Sequence, residues 1–433
     1  MLQVPVRALA NFCLRPQSFD HRAAQFDAAA LRAPSLKAIF PYGAHPWHRF
    51  RDLYPGGVLH PFLYLLDALS VVHAQRGAPA ELTPEREAAW NEAMRNPDYA
   101  MYPNLYNILS MKGQIYPALF ETLIDPCETE AAMRTASEKL AAIDIPVYLG
   151  ASFSAYTYKR HLLGMLHAYR TVRTPKKLML SGPAQPERPF HAFHEEVLRW
   201  FDHWLKDIDT GVMREAPVKV WVSGANRWHI TDDWPPRETR WTKLYLHSWG
   251  RLRERTFAPA SRQDAPAPDA FLQMPPTHTD EIQKLRYMTD PLPRDVLVMG
   301  PVSLTLYAAI DSTDTNWIVI LKDLGPDPSV RTAREGEMRV PQDIPEREVT
   351  RGWLKASCRA VDAGRSAPGR PFHPLTRESR QPVTPGEINQ YEVELMPTAN
   401  LFRAGHRIGL EITSLDLPTG PAGATSEIGR AHV

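Results

Sequence analysis

The pattern of the chain changes near residues 212–220, and this change constrains the fold more than any other feature. Before it, short apolar runs alternate with helical segments. After it, short alternating strands follow one another between turns rich in Pro, Gly and Asp. Strand–helix alternation followed by an all-β run predicts two domains, an α/β unit and an all-β unit. In the first part, Leu36–Tyr42 (LKAIFPY), Ile145–Leu149 (IPVYL) and Lys177–Leu180 (KLML) read as buried strands, and His161–Tyr169 as a helix. Residues 57–140 read as mostly helical. In the second part Pro217–Val222, Trp241–Leu246, Val302–Ile310, Trp317–Leu321, Tyr391–Leu395 and Arg407–Thr413 alternate apolar with polar, the pattern of an antiparallel sandwich or jelly roll.

The stretch PERPFHAFHEEVLRWFDHWLK, Pro186–Lys206, has the clearest period. Val197, Trp200, Phe201, Trp204, Leu205 and Ile208 fall on one face at helical spacing. Glu195 and Glu196 suit the positive end of the helix dipole. Glu195–Arg199 and Asp202–Lys206 are spaced as ion pairs one turn apart, and Gly211 is the expected stop.

Composition excludes several classes. Fifty Lys and Arg face 49 Asp and Glu, so nothing marks the chain as a whole as a nucleic-acid or membrane-surface protein. Cys13, Cys127 and Cys358 are odd in number and far apart, which gives neither a disulfide framework nor a zinc motif. No apolar run approaches the roughly 18 residues of a membrane span. Residues 1–17 lack a clear signal-peptide core and cleavage site. No compartment is assigned, with the cytoplasm slightly favoured. The 41 prolines are about twice the average share of roughly 5% and cluster at 234–302 and 365–397, which predicts many loops there.

Strand, helix, strand, His-bearing loop and amphipathic helix is the order in which an α/β-hydrolase sheet ends, an alternation that other doubly wound sheets share. The segments PSLKAIFPYGAHPWHRFRDLYPGGVLH, IPVYLGASF, KKLMLSGPAQPERPF, LRWFDHWLKDIDTGVMREAPVKVWVSGANRW, DSTDTNWIVILKDL, TRGWLKAS and MPTANLFRAGHRIGLEITSLDLPTG resemble the CocE/NonD hydrolases, relatives of cocaine esterase and the Xaa-Pro dipeptidyl-peptidases. The resemblance runs from about 30 to 425. It implies a partial α/β-hydrolase domain over 1–214 with a helical cap at about 57–140 and a jelly-roll-like β-sandwich over 215–425, which leaves 426–433 as a non-native tail outside the resemblance. It also implies a serine nucleophile, a His base, a carboxylate that holds it, and an oxyanion hole built from backbone N–H groups and a Tyr.

Residue by residue the carry-over thins. No Gly-x-Ser-x-Gly elbow occurs in the chain; the nearest serine to its expected place, Ser18, is flanked by Pro16 and Asp20. The family's acid position holds Ser152, in GASFSAY, and Asp144 stands at the wrong end of that strand. Gln185 and Pro186 occupy the family's His slot, while His191 and His194 lie further along the same loop as candidate bases, with capping and packing as alternative roles. Ser152 or Ser154 as an unusual nucleophile is a further reading. Two His three apart lack a third metal ligand. Asp311, Asp314 and Trp317 in DSTDTNW read as a turn with Asx bonds rather than a calcium loop. Most of the 11 tryptophans are expected in packing roles.

The last residues, EIGRAHV, look like a translated sequencing adapter, and the N-terminus departs from the resemblance before about residue 25, as a frameshift or late start would make it, so both ends are expected to be non-native. The expected function is a fragment of a serine hydrolase of ester or amide bonds, acting on a small ester, amide or peptide substrate without cofactor or metal, and inactive for want of the elbow. The alternative is a non-catalytic protein whose β-sandwich binds a carbohydrate or partner.

Overall fold

The computed structural model describes residues 24–44, 50–59, 81–100, 106, 110, 123–153, 156–182, 193–256, 268–274, 281–325 and 346–415. Ser18, Ser154, His191, the tail and much of the expected cap lie outside them.

The first sheet grows from the apolar runs. Strands β1 (Val147–Ser152) and β2 (Lys176–Ser181) pair in parallel, Val147 opposite Lys176 and Ser152 opposite Ser181. Every residue of β1 is buried, as expected for a strand covered on both faces. The stretch from Leu36 runs beside β1 in parallel, bridged at Ile39–Val147 and Tyr42–Gly150. Pro41 lacks an N–H but its carbonyl accepts from Gly150 N at 2.9 Å. Helices α1 (Ala24–Ala30), α5 (Glu130–Ala141) and α6 (Tyr156–Thr171) belong to this part of the chain. Between α1 and α5 come α2 (Phe50–Leu53), α3 (Pro84–Ala93) and α4 (Pro97–Ala100). Leu140, Leu149, Leu162 and Met165 share one core on one side of the sheet.

The opposite side is covered by α7 (His194–Lys206). Val197 and Trp200 are buried and Phe201 and Trp204 pack beside them, as the period predicts. Three details differ from expectation. The helix ends at Lys206, because Asp207 turns into the left-handed region at φ 55°; Ile208 is left exposed and Gly211 serves a later turn. Arg199 leaves Glu195 and reaches Glu215 and the Thr210 carbonyl. His194 does not cap the helix: it is the first helical residue, preceded by Phe193. The Asp202–Lys206 pair forms at 2.7 Å.

Strand β3 (Val218–Val222), expected in the sandwich, instead pairs in parallel with β2, Val218 beside Leu178, and β4 (Arg227–Thr231) closes that sheet antiparallel to β3. The order is β1-β2-β3-β4. β3 looked like a sandwich strand because it is not uniformly buried: Val218, Val220 and Val222 are buried and Lys219 and Trp221 half-buried.

The second sheet begins at β5 (Tyr245–His247) and β6 (Arg251–Arg253). It continues with β7 (Lys284–Met288), β8 (Val296–Ala308), β9 (Asn316–Leu324), β10 (Glu346–Lys355), β11 (Asn389–Phe402) and β12 (Arg407–Thr413). Their spatial order is β5-β6-β7-β12-β9-β10-β11-β8, antiparallel except between β6 and β7. Phe50, Leu53, Tyr54 and Tyr99 share one core with Trp317, Leu354 and Tyr391 of this sheet, so the helical stretch is docked on the β unit. Cation–π contacts add to the docking: the Arg51 and Arg365 guanidinium groups lie over the Phe372 ring, at 4.8 and 4.3 Å. In the DSTDTNW turn, Asp314 accepts from Thr315 N, Ser357 N and Ser357 Oγ, so it ties the turn to the segment after β10 instead of closing an Asx turn on the residue two ahead. Among the described residues no helix is long and apolar enough to cross a membrane.

Candidate functional site

Ligands of open parallel sheets sit beyond the carboxyl ends of the strands. Here those ends bring together Tyr42, Ser152, Ser181 and Ser223, each from a different strand or extended segment. The Tyr42 and Ser181 hydroxyls are 2.6 Å apart. Ser152 is buried and its Oγ donates to the Gly182 carbonyl at 3.2 Å. Phe153 N donates to Ser181 O at 2.9 Å, so the chain stays paired one residue past β1.

An aromatic wall lines the same edge. Tyr42 lies 6.2 Å from Phe193, Phe193 6.0 Å from Trp228, and Trp228 5.5 Å from Trp221. Trp221 lies so close over Gly182 that a Cβ there would stand 2.4 Å from its ring. On the helix side, the Tyr148 hydroxyl donates to Glu196 at 2.6 Å, and Lys219 reaches the other oxygen of that carboxylate at 3.1 Å. Burial pushes the Tyr148 phenol well up, and the charge and hydrogen bond of Glu196 add to this.

The β unit closes the edge on one side. Phe153 packs 6.4 Å from Trp234, and Met299 of β8 and Ala399 of β11 belong to the same core. Ser223 N donates to Ala399 O at 3.0 Å, and Leu401 N to Ser223 O at 2.8 Å.

The sequence-derived candidates distribute unevenly over this edge. Ser152 stands in it. His194 is exposed on the first turn of α7, whereas the preceding Phe193 points into the aromatic wall. His191 and Ser154 fall outside the described residues. Asp144 is at the far end of β1, exposed and 3.6 Å from Arg32. Among the described residues no His, Cys, Asp and Glu group has the makings of a metal site. Tyr42 and Ser181 were missed; the available signal was that each is a polar residue closing an apolar strand, in IFPY and LMLS.

An α/β unit whose strand ends form a hydroxyl and aromatic edge, abutted by a large antiparallel β unit, defines the class. A family model for the X-Pro dipeptidyl-peptidase C-terminal non-catalytic domain matches residues 210–428, about half of the chain. A protein named "Putative serine esterase" from Mycobacterium tuberculosis is 29% identical over 290 residues, covering 58% of this chain and 43% of its own length. Cocaine esterase from Rhodococcus sp. is 23% identical over 246 residues, 51% of this chain and 37% of its own. The crystal structure of a CocE/NonD family hydrolase from Staphylococcus aureus superposes with a TM-score of 0.65 at 18% identity, covering 93% of this chain and 64% of that one. Residues 210–428 belong to the X-Pro dipeptidyl-peptidase C-terminal domain family, and the chain shares the fold of the CocE/NonD family hydrolase. It spans less than half the length of the curated relatives it matches. The family match begins at 210, yet β3 and β4 pair with the α/β sheet, so sequence family and sheet pairing divide the chain at different places.

Proposed function

We propose that this chain forms part of a serine hydrolase that cleaves ester or amide bonds of small substrates through an acyl-enzyme. In this reading residues 1–214 are the later portion of an α/β-hydrolase domain with its helical cap at about 57–140, and 215–425 are a jelly-roll β domain. The observation that carries the reading is the edge where Tyr42, Ser152 and Ser181 meet at the carboxyl ends of parallel strands, next to the loop that leads into α7. In the fold's chain order the acid follows the β1 position and the base follows β2. Ser152 holds the first place; it supplies a hydrogen bond but no charge to steady an imidazolium. His191 and His194 are the candidates for the second. Tyr42 is a hydroxyl donor within the same edge.

The 433 residues contain no Gly-x-Ser-x-Gly motif, and we take the nucleophile to be absent from them. The chain alone then does not turn over the substrate. A fluorophosphonate probe tests this directly. The expected result is no labelling of the purified chain, together with labelling and ester hydrolysis by the product of the resequenced source locus. Stoichiometric modification of one serine in the 433-residue chain overturns the inactivity. A locus product inert to the probe and to both ester and Xaa-Pro anilide substrates overturns the hydrolase reading.

A further inference from the structure

The near balance of charge over the whole chain conceals one strongly basic stretch. Between Arg237 and Arg255 there are six basic residues, Arg237, Arg240, Lys243, Arg251, Arg253 and Arg255, against two acidic ones, Glu238 and Glu254. All six basic side chains are exposed. Among the described residues only Arg253 meets a carboxylate, Asp290, at 3.7 Å. The neighbouring strand differs: Lys284 and Arg286 of β7 are taken up by Glu411 and Glu346.

At the centre of this stretch is the β5–β6 hairpin, at the edge of the eight-stranded sheet. His247 pairs with Arg251, and the three residues between them form the tip. Trp249 stands there with 91% of its surface in water, more exposed than any other large apolar residue among those described. Its backbone lies in the left-handed region at φ 69°, where a bulky residue is uncommon and glycine or asparagine is at ease. On β6, Leu252 turns into the core while Arg251 and Arg253 face outward. Successive outward residues on a strand are about 7 Å apart. Arg251 therefore sits beside the tip, Arg253 one step behind it and Arg255 further back, with Arg251 and Arg253 within about one Debye length of the tip.

Basic residues alone are an ordinary protection for an edge strand. They do not account for a fully exposed tryptophan held at the tip in an unfavourable backbone region. A convex tip that places an indole ahead of closely spaced guanidinium groups matches the layering of an anionic lipid surface. Tryptophan prefers the headgroup boundary, and Lys and Arg next to it meet the phosphates. Acidic polymers are instead tracked by grooves lined with cations and stacking platforms, and this hairpin is a protrusion.

We infer that the Trp249 hairpin docks the protein onto anionic membrane surfaces, with Trp249 at the headgroup boundary and Arg251, Arg253 and Arg255 against lipid phosphates. The test is co-sedimentation of the 433-residue protein with vesicles of phosphatidylcholine alone or with three-tenths phosphatidylglycerol, at about 0.1 M salt. The expected result is binding to the anionic vesicles with a blue shift of tryptophan emission, little binding to the neutral ones, and release at high salt. Arg251→Ala lowers the partition constant about fivefold, since each basic residue at an anionic surface contributes about that factor. Trp249→Ser removes most of the blue shift. Both sites are exposed, so thermal unfolding of the variants stays at the parent value and separates loss of docking from loss of fold. Absence of binding to anionic vesicles overturns the inference, as does binding that both variants retain in full. Capture by a heparin resin without vesicle binding assigns the patch to an acidic polymer and equally overturns it.

Discussion

Ser223, at the end of β3, and Asn400, in β11, are bridge partners across the two sheets. The bridge is made by Ser223 N to Ala399 O and Leu401 N to Ser223 O. Arg403 adds a bond to the Gly224 carbonyl at 2.6 Å. The strand ends that form the candidate site are thus tied by backbone to the β unit. Gly224 makes the approach possible: its φ is +78°, and a Cβ there would lie 2.3 Å from the Leu401 carbonyl oxygen. Gly224→Ala is expected to destabilise the protein by about 2 kcal/mol or more, from the left-handed backbone and the displaced strand together. Calorimetry reads the outcome as a lower and broader transition. An unchanged melting profile removes this junction as a source of coupling.

A second tie runs between the helical stretch and the β unit. Arg51 bonds the carbonyls of His373 and Pro374, each at 3.1 Å, and its Nε lies 3.3 Å from the buried Glu128 carboxylate. Glu128 N in turn donates to Leu375 O at 2.9 Å. Burial lowers the pKa of Arg51, and the Glu128 charge works against that shift. Glu128→Ala leaves a buried guanidinium without its counter-charge, and the expected cost is about 3 kcal/mol. A charge-removing second change, Arg51→Met, should recover part of that loss in urea unfolding. Failure of the double variant to recover any stability argues that the pair is not coupled.

The parts of the fold legible in the sequence are those where burial follows a simple period. α7 shows one wet and one dry face, and the later part of β8 and the first half of β11 carry the alternation of half-covered strands, whereas β12 alternates in sequence yet is buried from Ile408 to Thr413, its Glu411 paired with Lys284 and Lys322. The fully covered β1 and β2 show instead as short apolar runs. β3 was misplaced because alternation reports how a strand is covered and says nothing about which sheet it joins. The end of α7 was misjudged because Asp207 adopts a left-handed turn usually given to glycine. The site was less legible. Ser152 could be found from its place at a strand end, but Tyr42 and Ser181 meet across 139 residues. No local motif signals a contact that the parallel register creates.

Trp200 carries much of the packing of α7 on the sheet. It is fully buried, makes an edge contact with Tyr148 at 5.4 Å, and donates from Nε1 to Ile39 O at 3.2 Å. Trp200→Ala is expected to cost about 3–5 kcal/mol. Trp200→Phe keeps most of the contact area and loses the hydrogen bond, for about 1–2 kcal/mol. The Ile39 carbonyl retains Tyr148 N at 3.0 Å, which holds the second value down. Equal losses in the two variants, measured by urea unfolding, contradict this division between packing and hydrogen bonding.

The dependence of stability on pH follows from two groups near the interface of α6 with β11. Burial pushes the Glu394 carboxyl up from 4.5 to about 7, against the opposing charges of Arg370, Arg170 and Arg51. Among the described residues its shielded Oε1 has no hydrogen-bond partner. Burial, with Arg170, Arg51 and Arg370 adding, pushes His167 down from 6.5 to about 4. For Glu394 the folded state binds more protons than the unfolded one between pH 4.5 and about 7, so its contribution falls as pH rises through that window. For His167 the unfolded state binds more protons between about 4 and 6.5, so its contribution rises with pH. The two oppose each other over most of their range. At about 1.4 kcal/mol per pH unit, reduced because Glu394 is only half-buried as a residue, its part is on the order of 2 kcal/mol. Glu394→Gln should therefore match the parent near pH 4.5, become progressively more stable towards pH 7, and hold a constant advantage above that. Urea unfolding of both proteins at several pH values draws the difference curve. A curve that is flat across this window would show that the Glu394 carboxyl ionises in the folded protein as it does in the unfolded chain.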